Sequence, residues 1–152
     1  MRILIDADGC PVVDIAVRAA KSFSLECHIF CDSSHIFDKD GAETHTVTKG
    51  ADSADFALAN FAKKGDVVIT QDYGLASMAL SRGAICINQD GLEYTKDNID
   101  GLLFYRHTAK KIRNSGGRLK GMPKRAKEQD SDFERKLLEI IKESSNKTQK
   151  NS

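Results

Sequence analysis

Apolar positions along this chain fall into short continuous runs that alternate with helical stripes. Residues 2–6 carry the run Ile3-Leu4-Ile5 between polar neighbours, the pattern of a short buried strand. Val12, Ile15, Ala16, Ala19, Ala20 and Phe23 then recur at spacings of three and four, which predicts a helix over 11–23. Pro11 suits its first turn, where a missing N–H costs nothing. Further strands are expected at 25–31, 43–48, 66–70 and 84–88, and helices at about 52–63 and 73–82, with Gly65 and Gly83 just past their ends. The polar, turn-rich stretch 32–41 reads as a surface loop. This alternation predicts an α/β domain with a largely parallel sheet.

Beyond residue 90 the pattern changes. Thr95 can cap a helix over 96–114, with Gly101 a weak point, and "SGGRLKGMP" (115–123) cannot be regular. A last helix is expected from Ser131, whose spacing to Glu134 matches a capping box. Its apolar stripe is Phe133, Leu137, Leu138 and Ile141, and it should end around Glu143. The reading is one domain over 1–145, followed by a disordered tail over 146–152. No apolar run approaches the length of a membrane span, and Met1 leads straight into a strand with no signal-peptide pattern. A cytoplasmic protein without a membrane partner is expected.

The net charge of +1 conceals an uneven distribution. Residues 1–105 hold nine basic and sixteen acidic side chains, whereas 106–127 hold nine basic and no acidic ones. An acidic region beside a basic segment is what a metal site with a phosphate-binding flank needs, although basic runs are also common on solvated loops. The four cysteines show no CxxC pair and no zinc-ligand spacing. Cys27, Cys31 and Cys86 read as small buried hydrophobes. Cys10 lies at a helix start, where thiol pKa values tend to fall, but a small residue in a tight turn is the simpler reading. His28, His35, His45 and His107 are scattered over strands, a loop and the basic segment, and each reads as structural or exposed.

The acidic residues carry the functional signal. In open parallel sheets, sites lie outside the carboxyl ends of the strands. Asp6 and Asp8 follow the first strand, Asp72 follows "VVIT", Asn88 and Asp90 close the last strand, and Asp52 and Asp55 open a helix at the same edge. Each alone could be a helix cap or a turn residue. Together they bring oxygen ligands to one rim, as magnesium or manganese requires. Asp66 starts a strand at the opposite edge and is excluded.

Four segments, "IDADGCPV", "KGADSADFALANFAKKGDVVITQDYGLASMALSRGA", "INQDGLEYT" and "RNSGGRLKGMPK", identify the chain as resembling the YaiI/YqxD family over about residues 1–140, a family whose fold is related to the PIN-like nucleases. That resemblance implies a three-layer α/β/α domain with a mostly parallel central sheet. By the PIN-like pattern Asp6 is similar to the acid at the end of strand one, Asp55 to an acid on a central helix, and Asp72 to the aspartate after a strand ending in threonine. Asp8 and Asp52 belong to the YaiI/YqxD pattern and could supplement the site. The early helix acid of typical PIN domains, near Glu43 or Asp38 by order, has no clean equivalent.

The expectation is thus a magnesium- or manganese-dependent hydrolase of phosphodiesters, a PIN-like ribonuclease in particular. Catalytic Asp6, Asp55 and Asp72 would be aided by Asp8 and Asp52 at the metal, with Arg113, Arg118, Lys120 and Lys124 holding RNA phosphates. Two alternatives stand beside it. One is a non-catalytic RNA- or protein-binding module on the same fold. The other is a haloacid-dehalogenase-like phosphatase using "DADG", with Asp6 as nucleophile and Asp8 as acid/base; against it, Cys10 stands where that family has threonine.

Overall fold

A computed structural model describes residues 1–32, 38–47, 53–114 and 124–150; for 53, 55, 106–114 and 149–150 the description is of the backbone. The element order is β1 (Arg2–Asp6), α1 (Val13–Ser22), β2 (Glu26–Asp32), β3 (Glu43–Val47), α2 (Ser53–Phe61), β4 (Val67–Ile69), α3 (Tyr73–Ser81), β5 (Ile85–Ile87), β6 (Glu93–Tyr94), α4 (Lys96–Asn114) and α5 (Lys127–Lys150). The strands form one sheet in the order β3-β2-β1-β4-β5-β6. All neighbours are parallel except β5 and β6, which pair antiparallel. Among the described residues no helix is long and apolar enough to cross a membrane.

The continuous apolar runs of β1 and β4 follow from burial on both faces, as parallel central strands require. On one face Ile3, Ile5, Ile29 and Ile69 pack with Ala16 and Ala20 of α1 and with Phe133, Leu137 and Ile141 of α5. On the other, Leu4, Phe30, Val68 and Cys86 pack with Leu58 of α2, Leu75 and Ala79 of α3 and Ile99 of α4. The result is the expected three-layer α/β/α arrangement. Val13, Ala16, Val17 and Ala20 place the apolar stripe of α1 on the sheet, and Thr95 caps α4 by accepting the Asn98 amide at 3.2 Å while Asn98 Oδ1 accepts the Thr95 amide at 2.9 Å.

Three expectations are corrected. The two-residue strand β6 has no counterpart in the sequence pattern, being too short to produce a periodicity. It is held by Tyr94, whose ring is fully buried and whose hydroxyl donates to the Thr70 carbonyl at 3.2 Å. α5 starts four residues before Ser131, because the Ala126 N–H donates to Gln129 Oε1 at 2.7 Å and so the capping side chain is Gln129, not Glu134. It also continues past Glu143 to Lys150, so 144–150 are helical. The irregular stretch expected at 115–123 lies outside the described residues.

At the amino ends of the strands the core is closed by one ion pair. Asp66, 4% exposed, receives the Arg2 guanidinium at 2.6 Å and the backbone amides of Arg2 and Lys63. The same guanidinium lies 4.3 Å from the Phe61 ring centroid and donates to the Phe61 carbonyl. Asp66 therefore stabilises the fold at the edge opposite the carboxylate rim. Replacing Arg2 by Met leaves this carboxylate buried without its cation and should cost about 3 kcal/mol in urea denaturation; Arg2→Met combined with Asp66→Asn should recover part of that loss.

Candidate functional site

The strand order reverses direction between β1 and β4, and the chain leaves these two neighbours toward opposite faces of the sheet. Such a reversal opens a crevice at the carboxyl ends of the strands. Asp6, the last residue of β1, and Asp72, two residues beyond Thr70 at the end of β4, flank it. Thr70, 1% exposed, ties them together. Its hydroxyl donates to Asp6 Oδ2 at 2.7 Å and accepts the Asp72 backbone N–H at 3.0 Å. Asp72 also caps α3: its Oδ1 accepts the amides of Gly74 and Leu75 at 2.8 and 3.1 Å. The capping role and the rim position thus belong to the same carboxylate, fixed in rotamer by the helix it starts.

Asp8 sits in the turn that leads from β1 to α1, and its Oδ2 accepts the Asp32 backbone amide at 3.1 Å. It joins the rim to the end of β2. Gln71 reaches across the crevice from the β4 side and donates to the Gly9 carbonyl at 3.0 Å. Gly9 itself has φ +75, which a side chain would strain, and this turn is what allows the chain to pass from strand to helix beside Asp6.

The electrostatics of the rim centre on Asp6. Burial pushes its carboxyl up to about 6, the Thr70 hydrogen bond opposes the shift, and the charges of Asp72 and Asp8 add to it. Cys10, by contrast, is not activated. Burial pushes its thiol up to about 11, an amide hydrogen bond from Val12 and the Arg125 charge pull it down less, and the Asp6 charge pushes it further up. The lowering common at helix starts is absent because burial outweighs it, which accords with a small residue in a tight turn.

Asp90 reaches the same end of the sheet but is already paired. Arg125 donates to Asp90 Oδ1 at 2.6 Å, to the Gln89 carbonyl at 2.6 Å and to Asp130 at 2.7 Å, and Gln129 donates to Asp90 at 3.2 Å. This clasp fastens the turn after β5 to the start of α5. Gly91 in that turn, with φ +87, lies so close to α5 that an added Cβ would meet the Asp132 carbonyl at 2.8 Å.

Of the site residues expected from sequence, Asp6, Asp8 and Asp72 converge. Asp55 occupies the first turn of α2 and Arg113 the last turn of α4 by their backbones. Asp52, Arg118 and Lys120 lie outside the described residues. Lys124 is exposed, next to the Arg125 clasp. Glu43 is on β3 and Asp38 in the preceding loop, so neither is the helix acid of the PIN-like pattern. Sequence reasoning missed Thr70, which the "VVIT" ending could have flagged, and Arg125, hidden within a basic run. It also missed the approach of His28 to His45, because nothing local reveals how two strands align.

The family described as "Uncharacterized BCR, YaiI/YqxD family" matches residues 4–143. The chain belongs to the YaiI/YqxD family. Relatives of similar length include the UPF0178 protein of Exiguobacterium sibiricum, 46% identical over 143 residues that cover 94% of this chain and 98% of the relative. The UPF0178 protein of Ruminiclostridium cellulolyticum is 47% identical over 142 residues, 93% of each chain, and that of Natranaerobius thermophilus 46% identical over 141 residues, 93% of this chain and 96% of the relative. No solved structure matches the chain.

The raised Asp6 value carries a definite sign for stability. A carboxyl whose folded value exceeds its unfolded one favours the fold when protonated, so its contribution is complete below about 3.8 and is lost as pH rises through about 6. In chelator-treated protein, stability to urea should fall across this window by about 3 kcal/mol at most. Asp6→Asn, which cannot ionise, should flatten that part of the pH profile and be more stable than wild type at neutral pH.

Proposed function

We propose that this protein is a divalent-metal-dependent hydrolase of phosphodiesters, most specifically a PIN-like ribonuclease, acting at the crevice between β1 and β4. The observation that carries this reading is the Thr70-linked pair: Asp6 and Asp72, borne on adjacent strand ends, with Asp6 held near 6 by burial and by neighbouring negative charge. Carboxylate oxygens are the donors that magnesium and manganese prefer, and crowded negative charge is what such an ion relieves. Asp6 and Asp72 are the primary ligands in this proposal, with Asp55, Asp8 and Asp52 completing the set. When bound, the ion supplies charge neutralisation at the phosphate and a water of lowered pKa.

The chain's own residues do the rest. Thr70 fixes the Asp6 carboxylate in position through its hydroxyl, and the Gly74 and Leu75 amides fix Asp72, so both ligands are oriented before substrate arrives. Arg113, Arg118, Lys120 and Lys124 are assigned to the phosphates of the strand. Phe104 and Tyr105, 71% and 66% exposed on α4 just ahead of the basic segment, supply flat surfaces on which bases can stack. The same two exposed aromatics favour a second reading, an RNA-binding module that does not cleave. The phosphatase reading is weaker, because Cys10 stands where that family has threonine.

Adding manganese at about a hundredfold excess over Kd should raise the melting temperature by roughly 5–10 °C. The Asp6→Asn, Asp72→Asn double variant should lose that rise, and single-stranded RNA should be cut only by wild type with metal. RNA bound but left intact with every divalent ion would favour the module. Phosphate release from a small phosphomonoester, abolished by Asp6→Asn, would favour the phosphatase.

A further inference from the structure

A second set of ligating side chains lies away from the carboxylate rim, on the edge of the sheet. The parallel register of β2 and β3 sets His28 beside Glu43 and Phe30 beside His45, all on the face that packs against α2. His28 Nδ1 lies 2.9 Å from His45 Nε2 and 3.6 Å from Glu43 Oε2. One ligand atom from each of the three falls within 4.8 Å of the others. We propose that His28, His45 and Glu43 form a binding site for a zinc-class divalent ion, clamping edge strand β3 to β2.

Each part of the arrangement fits that chemistry. Two imidazole nitrogens and one carboxylate are a three-ligand set that leaves a position open for water, and they suit zinc, cobalt or nickel rather than magnesium. His28 is 5% exposed, and its other nitrogen, Nε2, has no hydrogen bond but lies 3.5 Å from the Glu26 carboxylate. A turn of the exposed Glu26 side chain would let Nε2–H donate to that carboxylate, leaving Nδ1 to the ion, as an outer partner does for a metal-bound histidine. His45 stacks on Phe30 with ring centroids 4.6 Å apart, and Phe61 closes against both histidines at 4.7 and 5.3 Å. These rings hold the imidazoles in orientation and keep water from their inner side.

Binding replaces the hydrogen bond between the two histidines: His45 takes the tautomer with its proton on Nδ1, and the rings turn until both free nitrogens face the ion, about 3.3 Å apart on a tetrahedral centre against 2.9 Å here. Glu43, 69% exposed in its side chain, is free to swing its carboxylate inward. The ligands lie on β2 and the edge strand β3, whereas the rim carboxylates Asp6 and Asp72 lie at the ends of β1 and β4, so the two sites share no ligand.

Titration of the full chain with cobalt, followed by its visible absorption and by zinc competition, tests the proposal. One equivalent should bind with the intense bands of a four-coordinate nitrogen-ligated ion. His45→Ala should weaken zinc by roughly a hundredfold and Glu43→Gln by roughly tenfold, with the exposed Glu43 position keeping the fold if His45→Ala does not. Asp6→Asn, Asp72→Asn should bind zinc as wild type does. Equal affinity in wild type and Glu43→Gln, or loss of zinc in the rim variant alone, would overturn the assignment.

Discussion

The pairing of β1 with β4 is the constraint on which the rest depends. These two strands are next to each other in space but sixty-four residues apart in sequence, and their register, Ile3 to Val67 through Ile5 to Ile69, closes the centre of the sheet. Burial on both faces requires the apolar runs that define them. Because β2 and β3 build outward from one side of this pair and β5 and β6 from the other, the chain direction of construction reverses there. Helices α1 and α3 leave β1 and β4 toward opposite faces of the sheet, and Asp6, Thr70 and Asp72 lie where they part, the place at which such sheets form a crevice.

The crevice brings the partly buried carboxyl of Asp6 close to the charges of Asp72 and Asp8. Asp66 and Asp90 show the complete solution: each has an arginine at 2.6 Å together with further donors. Asp6 has the Thr70 hydroxyl, and its carboxyl stays raised because desolvation and the charges of Asp72 and Asp8 outweigh that bond. The contrast separates acids that hold the fold together from the acid that is costly to keep ionised. A costly charge at a strand end is what makes the proposed cation site chemically sensible.

The histidine site follows a different logic. Oxygen donors at the rim are delivered by a strand end, a turn and a helix cap, whereas His28, Glu43 and His45 are delivered by alternation along two paired strands. Hard and borderline ions would therefore sort between the two sites by donor type rather than by affinity alone. Aromatic packing by Phe30 and Phe61 gives the second site rigidity that the rim obtains from Thr70 and the α3 amides.

The sequence by itself determined most elements of the fold. Strands at 2–6 and 66–70 and helices at 11–23 and 73–82 emerged within two residues of their observed limits, because apolar periodicity is a local property set by which face is buried. It also determined that Asp6 and Asp72 share an edge and that Asp66 does not, since strand direction alone settles which end a flanking residue occupies. The family pattern could be recognised from linear segments for the same reason. What only the tertiary structure decided depends on contacts between segments distant in the chain. The start of α5 rests on Gln129 and on Arg125 reaching Asp90, thirty-five residues away. Strand β6 exists because Tyr94 finds Thr70, and the Cys10 thiol is raised by burial that no local motif encodes. The meeting of His28 with His45 requires the β2–β3 register, and register is fixed by how the whole sheet packs, not by either strand alone.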